Sequence, residues 1–538
     1  MRKSGVLLHI TSLPTPGGIG TLGADAYAFV DFLKKAGMSV WQVLPIGPTG
    51  YGESPYQSHG THAGNINLID LNFLVRDGLM KAEDAKRFQA GSSTDFDTVK
   101  RLKREGLHLC FEQNFNRMEA MVDTFTQSHK NIDDFAFFMA LKDYFGGRMW
   151  TCWPDVAIRM REEGAMAHYR RILRDEINFH RFTQYVFFTQ WLCLKAYANK
   201  NGIQIFGDMP IYVAEDSADC WANPNIFQLD RDRRPLKVAG VPPDYFSEDG
   251  QLWGNPLYDW KALRRTGFEW WIDRLRTAGE LYDMVRVDHF IGFANYYAIR
   301  AGAPNARVGK WEKAPGRRFF FVVKRRLPEL NIIAEDLGVV SNRVKRLLRY
   351  CGFPGMKVLC FGFDSDAANP HFLGNIRENC VVYTGTHDND TTLGWWEKAS
   401  EKVRAFALEN LPQCDSICDS MIEAALGSAA NLCVLPMQDI LHLGSEARMN
   451  TPGTVGDFNW TWRMDADADL AALAPQIVPR AGISENLPPF GSSAQCCIKA
   501  FTAADAPRWS SRRRNRPWPA CRRSCRWNRR AGSSRLPR

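Results

Sequence analysis

The run Val285-Arg286-Val287-Asp288-His289-Phe290 ends an apolar, β-branched stretch in an acid, with an arginine two positions before it. Side chains alternate faces along a strand, so Arg286 and Asp288 point the same way. A guanidinium that close favours the charged form of a carboxylate and is expected to hold Asp288 ionised at neutral pH. An ionised, fixed carboxylate is what nucleophilic catalysis by an acid needs. The same string would also serve as a strand followed by a helix N-cap aspartate, so the motif alone leaves both readings open. Other apolar runs end in the same manner, at His9, Asp208, Glu335-Asp336, Asp364, His387-Asp388 and Gln438-Asp439. Acids at so many run ends exceed what helix capping calls for, and the pattern favours a site.

Eight short apolar runs would carry these groups: residues 6–10, 39–44, 203–207, 283–287, 331–334, 356–360, 380–383 and 432–436. Amphipathic stretches such as 25–35 and 341–349 separate several of them. Strand and helix in alternation predict an α/β protein with a parallel sheet, and eight such strands predict a closed (β/α)8 TIM barrel. Barrels of this kind place their chemistry at the carboxyl ends of the strands, where these acids lie. The interval of about 65–200 is too long for a loop and reads as an inserted, mainly helical subdomain. Residues 214–260 read as an ordered loop region over the mouth of the barrel, and 301–318 as another irregular insertion. Together these give a catalytic unit over 1–476 and an atypical tail over 477–538.

The formal charge of +9 would point to an anionic partner if it were spread over the chain. Twelve arginines, and no other charged residue, fall in 507–538, so the charge of residues 1–506 is nine less twelve, −3. The basic character belongs to the tail. The 14 cysteines are scattered without C-x-x-C pairs, which predicts reduced thiols in a cytoplasmic protein. The apolar run Val6-Leu7-Leu8 is too short for a signal peptide, and no segment is long enough for a membrane span. Gly18-Ile19-Gly20-Thr21-Leu22-Gly23 matches G-x-G-x-x-G, but the stretch Thr11-Ser12-Leu13-Pro14-Thr15-Pro16 separates it from the strand. The following run also lacks the ribose-binding acid, so no dinucleotide site is expected.

Three motifs stand in chain order: the run ending at Asp288, Ile333-Ala334-Glu335-Asp336-Leu337-Gly338, and Tyr383-Thr384-Gly385-Thr386-His387-Asp388-Asn389-Asp390. Strand-end Asp, then Glu, then His-Asp on a barrel resembles the α-amylase clan. The wording is similar to one family within it, the 4-α-glucanotransferases (amylomaltases or disproportionating enzymes, glycoside hydrolase family 77). Ser54-Pro55-Tyr56-Gln57-Ser58, Gly207-Asp208-Met209-Pro210-Ile211-Tyr212-Val213 and Gly240-Val241-Pro242-Pro243-Asp244-Tyr245-Phe246-Ser247 extend the likeness. So do Trp253-Gly254-Asn255-Pro256, Phe353-Pro354-Gly355-Met356-Lys357-Val358-Leu359 and Asn450-Thr451-Pro452-Gly453-Thr454, so that it covers about residues 5–476.

That resemblance implies transfer of α-1,4-glucan segments from maltodextrin donors to glucose or maltooligosaccharide acceptors, by a retaining double displacement. Retention needs a nucleophile and an acid/base with carboxyls about 5–5.5 Å apart. Asp288 matches the nucleophile and Glu335 the acid/base, whose pKa burial and neighbouring acids should raise. Asp388 matches a third carboxylate that stabilises the oxocarbenium-like transition state. Arg286 and His387 match residues that hold charge and hydroxyls around the cleaved sugar, Tyr56 would stack on its ring, and Asp208 would bond its hydroxyls. Ser54, Trp253, Asp336, Phe361 and Asn459 match contacts to neighbouring glucose units. Tyr245 and Phe246 would stack an acceptor and exclude water, which favours transfer over hydrolysis. No metal or organic cofactor is implied, and activity is expected to survive a chelator. Related readings are an α-glucan hydrolase or branching enzyme. From a different class comes nucleic-acid binding through the arginine-rich tail with Trp509, Trp518 and Trp527.

Some positions depart from the family pattern. Ile291, Tyr297, Arg300 and Cys360 replace usual residues, and the stretch 58–66 is less aromatic. None removes a catalytic group. After Gln476 the family's last helix gives way to an Arg/Ser/Pro/Trp mixture with no apolar periodicity. Translation out of the ancestral frame would produce that change, and a largely disordered tail is expected.

Overall fold

The computed structural model describes residues 2–91, 94–243, 248–338, 340–364 and 366–477. Their twelve strands are β1 (Lys3–Leu7), β2 (Val40–Gln42), β3 (Gln204–Pro210), β4 (Lys237–Val241), β5 (Gln251–Pro256) and β6 (Met284–Asp288), then β7 (Asn295–Arg300), β8 (Gly309–Lys313), β9 (Ile332–Ala334), β10 (Gly355–Val358), β11 (Cys380–Tyr383) and β12 (Leu432–Pro436). Eight of them pair in parallel in the order β10-β11-β12-β1-β2-β3-β6-β9. The amide of Ala334 donates to the carbonyl of Pro354, 2.8 Å away, and joins the two ends of that order. The result is the expected TIM barrel, each strand overlapping one of the eight predicted runs.

Alternation along the strands sorts side chains into two cores. Leu7, Val40, Phe206, Met284, Ile333, Met356, Val381, Tyr383 and Val434 pack together inside the barrel. Val6, Trp41, Val285, Val287, Val382 and Cys433 pack outward against the helices. On β6, Met284 is inside and Val285 and Val287 outside, so the intervening Arg286 and the terminal Asp288 share the interior side. β1 lies three residues earlier than the predicted run. Its Gly5 accepts the close approach of β2, since a Cβ there would sit 2.4 Å from the Val40 carbonyl oxygen. His9 therefore falls just beyond the strand, before a short 3-10 turn at Ile10–Ser12.

Between β2 and β3 the chain is mainly helical. The longest helices there are Phe96–Ser128, Lys130–Tyr144 and Arg174–Lys200. Asp95 caps the first by accepting from the amides of Asp97 and Thr98. The two segments read as loop insertions contain regular strands. β4, β5 and β8 come from them and form a second, antiparallel sheet with β7, in the order β5-β4-β7-β8. Pairings such as Val238↔Ile299 join segments some sixty positions apart, which no local pattern signals. Tyr245, Phe246 and the tail from residue 478 onward lie outside the described residues. Among the described residues no cysteine forms a disulfide, and no helix is long and apolar enough to cross a membrane.

Candidate active site

β3 and β6 pair so that Asp208 lies opposite Arg286 and Pro210 opposite Asp288. β6 and β9 pair Val287 with Ala334, which brings Asp288 and Glu335 next to each other at the ends of neighbouring strands. Gly207 lets β3 sit tightly on its outer side, since a Cβ there would meet the Tyr282 ring at 2.1 Å. Beneath the site, the Tyr383 hydroxyl donates to Gln42 Oε1 at 2.9 Å and closes the barrel floor without an unpaired polar group.

Arg286 is the hub. Its guanidinium donates to Asp208 Oδ2 (2.9 Å from Nε, 2.7 Å from the terminal nitrogen) and to Asp288 Oδ1 at 3.0 Å. It also donates to the Tyr56 hydroxyl oxygen at 3.2 Å. That hydroxyl donates to Asp208 Oδ2 at 2.6 Å, and His387 Nε2 stands 2.9 Å from its oxygen. The Tyr56 and His387 rings are stacked with centroids 5.3 Å apart. His387 Nε2 lies 3.4 Å from Asp388 Oδ1. The turn that carries these two residues is pinned by Asn389, whose Oδ1 accepts from both the amide and the hydroxyl of Thr386 at 2.9 Å.

Glu335 is held from two sides. Its Oε2 accepts from the amide of His289, and its Oε1 from that of Leu337, each at 2.7 Å. His289 presents that amide from a left-handed conformation (φ 49°), a costly geometry for a non-glycine residue that turns the chain at the end of β6. Its ring meets Trp253 of β5 edge-on, with centroids 4.8 Å apart. The small sheet thereby reaches the barrel mouth.

Electrostatics separates the two central acids. Burial pushes Glu335 up to about 8, and the Asp288 charge adds to the rise. Burial also pushes Asp288 up, to about 7, with Arg286 pulling it down and Asp208 and Asp388 pushing it further up. The sequence-based expectation that Arg286 holds Asp288 ionised is thus only partly met, because one guanidinium is shared with Asp208 and burial opposes it. Glu335 remains the stronger proton holder. It is buried and has no cationic partner in contact, whereas Asp288 is only partly buried and touches Arg286. Burial lowers the pKa of His387 against the opposing pull of Asp388 and raises that of Tyr56, so both are neutral at pH 7.

The predicted residues thus divide. Tyr56, Asp208, Arg286, Asp288, His387 and Asp388 form one bonded network, with Glu335 beside it. Ser54 accepts the Tyr56 amide at 3.3 Å and shapes that loop. Asp336 turns to β10, where its Oδ1 accepts from Met356 N at 2.7 Å. Asn459 braces its own loop through Thr451 N at 2.8 Å and Thr454, and Phe361 sets its face or edge against His371 at 5.6 Å. Sequence reasoning gave no role to Asn450 and Arg448. Asn450 Nδ2 donates to Asp388 Oδ1 at 2.7 Å, and Arg448 donates to the Asp388 carbonyl at 2.6 Å. Asn450 opens a quoted motif, which was the available signal. Among the described residues one cluster has metal-ligand spacing, Asp143, Glu176 and His180. It lies in the helical insertion, and Arg104 pairs with both of its acids.

Comparison with known proteins agrees with this arrangement. Residues 8–468 match the family described as 4-alpha-glucanotransferase, glycoside hydrolase family 77. The 4-alpha-glucanotransferase of Streptococcus pneumoniae serotype 4 is 46% identical over 501 residues, covering 90% of this chain and 98% of that protein. That of Thermus thermophilus is 47% identical over 477 residues, covering 86% and 95%. The solved amylomaltase of Streptococcus agalactiae, in complex with acarbose, superposes with a TM-score of 0.86 at 42% identity, covering 89% of this chain and 98% of that one. The chain belongs to the 4-alpha-glucanotransferases of glycoside hydrolase family 77.

Proposed function

We propose that this enzyme moves α-1,4-glucan segments between maltodextrins by a retaining double displacement. Asp288 attacks the anomeric carbon while Glu335 protonates the departing glycosidic oxygen. The 4-hydroxyl of an acceptor glucan then gives its proton to Glu335 and displaces Asp288, with the configuration restored. The observation that carries this reading is the unequal pair at the ends of β6 and β9. One carboxyl touches Arg286, and its neighbour is buried, bonded only to amides and raised to about 8. Such a pair supplies a nucleophile and an acid at one pH. Asp388, fixed by Asn450, and the neutral His387 and Tyr56 supply oxygen and N–H groups for the hydroxyls of the cleaved sugar and negative charge for the oxocarbenium-like state.

Incubation with maltotriose and chromatography of the products tests the activity. Glucose together with a ladder of longer oligomers is expected. Glucose and maltose without longer products would mean a hydrolase, and new branch points a branching enzyme. An Asp288→Ala variant that still rearranges maltotriose at the full rate would refute the mechanism. Trapping with a slow glycosyl fluoride, followed by mass spectrometry of the peptide containing Asp288, tests the covalent step directly. Phe246→Ser is expected to raise hydrolysis relative to transfer.

A further inference from the structure

Behind the network lies a small cavity lined by His9, His387, Gln438, Asp439 and Arg448, among others, with room of about 20 Å³ for the centre of a water molecule. A water needs roughly 10–15 Å³ and two to four polar partners. Two ring systems facing this cavity have unfilled hydrogen-bonding capacity. Among the described residues neither nitrogen of His9 has a partner, although the residue is 6 % exposed and Nδ1 is wholly buried. The second is His387, whose proton position follows from its neighbours. The Tyr56 hydroxyl has one proton and gives it to Asp208, 2.6 Å away. Its oxygen must then accept from His387 Nε2 at 2.9 Å, as it does from Arg286 at 3.2 Å. A neutral His387 protonated at Nε2 leaves Nδ1 as a bare acceptor, and none of the described residues donates to it.

We propose that His9 is a positioning residue for His387, acting through a water molecule held in this cavity. An N–H of His9 donates to the water oxygen, and one water O–H donates to His387 Nδ1. The second O–H reaches Gln438 Oε1, whose amide nitrogen is taken by the Ala447 carbonyl at 3.3 Å. The water thereby has three partners, a usual number for a buried site. The water adds its hold to the tautomer that the Tyr56 oxygen already favours. With the proton moved to Nδ1, His387 would turn a lone pair toward the Tyr56 oxygen and toward Asp388 Oδ1 3.4 Å away, and could no longer donate to a sugar hydroxyl. The catalytic consequence rests on the function proposed above; the coupling of the two histidines does not.

The test labels histidine with ¹⁵N in the ligand-free enzyme and reads ring nitrogens by two-bond ¹H–¹⁵N correlation, with His387 assigned from His387→Gln. The native protein is expected to show His387 protonated at Nε2, with Nδ1 at the shift of a hydrogen-bonded acceptor. In His9→Phe the Nδ1 signal should move to the unbonded-acceptor position or split toward a tautomer mixture. His9→Gln, which retains an N–H donor, should keep the native pattern. Turnover of maltotriose should fall about tenfold in His9→Phe, the effect of one lost hydrogen bond, with KM within about twofold, and His9→Gln should recover most of it. Unchanged His387 nitrogens in folded His9→Phe, or equal impairment of His9→Gln, overturns the inference. If His9→Phe does not fold, Gln438→Leu removes another partner of the same water, and unchanged His387 nitrogens there overturn it as well. Because the spectra need no substrate, a wild-type enzyme without transferase activity would sink the proposed function and leave this coupling to be judged on its own.

Discussion

Replacing Glu335 with glutamine isolates what it costs the fold to keep an acid charged in this site. Burial and the Asp288 charge raise Glu335 from 4.5 to about 8. An acid with a folded pKa above its unfolded value binds more protons folded than unfolded in the interval between them. Stability therefore falls as pH rises from about 4.5 to about 8, and levels off above. At about 1.36 kcal/mol per pH unit the full interval corresponds to about 5 kcal/mol. Glu335 titrates together with Asp288, so part of that loss belongs to the pair, and about 2 kcal/mol is expected for removing Glu335 alone. Glutamine adds an offset of its own, because both Glu335 oxygens accept amides and an NH2 group would face one of those donors. That penalty, about 1–3 kcal/mol, does not depend on pH. The absolute stability of Glu335→Gln is thus no test, but its pH slope is. Denaturant titrations followed by tryptophan fluorescence should show the variant gaining about 2 kcal/mol on the native protein between about pH 5 and about pH 8. A gap that stays flat over that range refutes the claim that Glu335 is the residue keeping its proton.

Arg286→Met leaves Asp208, with a wholly buried side chain, and Asp288 without their shared cation. A loss of about 3–5 kcal/mol in denaturant titrations is expected, together with loss of transfer. Asn450→Ala removes the side-chain bond that fixes Asp388 and should lower maltotriose turnover with little change in stability. Asn459→Ala removes the bonds that brace its loop and should cost about 1–3 kcal/mol in the same titrations. Gly207→Ala drives a methyl group into the Tyr282 ring and should destabilise by about 1–3 kcal/mol or more, measured in the same titrations.

Much of this site was legible because strand periodicity is a local property. Two residues apart on an apolar run is enough to put Arg286 and Asp288 on one face, and the structure places them 3.0 Å apart. The eight barrel strands were legible for the same reason, each a short apolar run ending in polar residues. What a run cannot show is which residue arrives from elsewhere. Arg286 is also the partner of Asp208, 78 positions earlier, and that sharing, together with burial, lets Asp288 rise to about 7. The second sheet escaped notice on similar grounds. Its strands are short and interrupted by Gly and Pro, and the β4–β7 pairing that joins its two local pairs spans some sixty positions. His289 is instructive in another way. Its amide holds Glu335, a role that belongs to the backbone and leaves no trace in the side chain's identity.

The charge count around Arg286 connects stability to mechanism. Asp208, Asp288, Asp388 and Glu335 gather about one guanidinium, so the site holds more acid than one cation can balance. A proton therefore stays on the buried acid that no cation touches, Glu335, and in the proposed mechanism nucleophile and acid are then different residues without any further device. In the proposed reaction, positive charge develops on the cleaved glucose unit as the glycosidic bond breaks, and this offsets the excess of carboxylates over the one guanidinium. The imbalance that weakens the free enzyme as pH rises is then relieved most at the transition state, as differential binding requires. Two measurements are thereby tied together. The pH interval in which the native protein loses stability relative to Glu335→Gln should contain the basic limb of the native enzyme's kcat/KM profile, since both report one proton on one carboxyl. A basic limb lying well outside that interval would assign the catalytic proton to another residue.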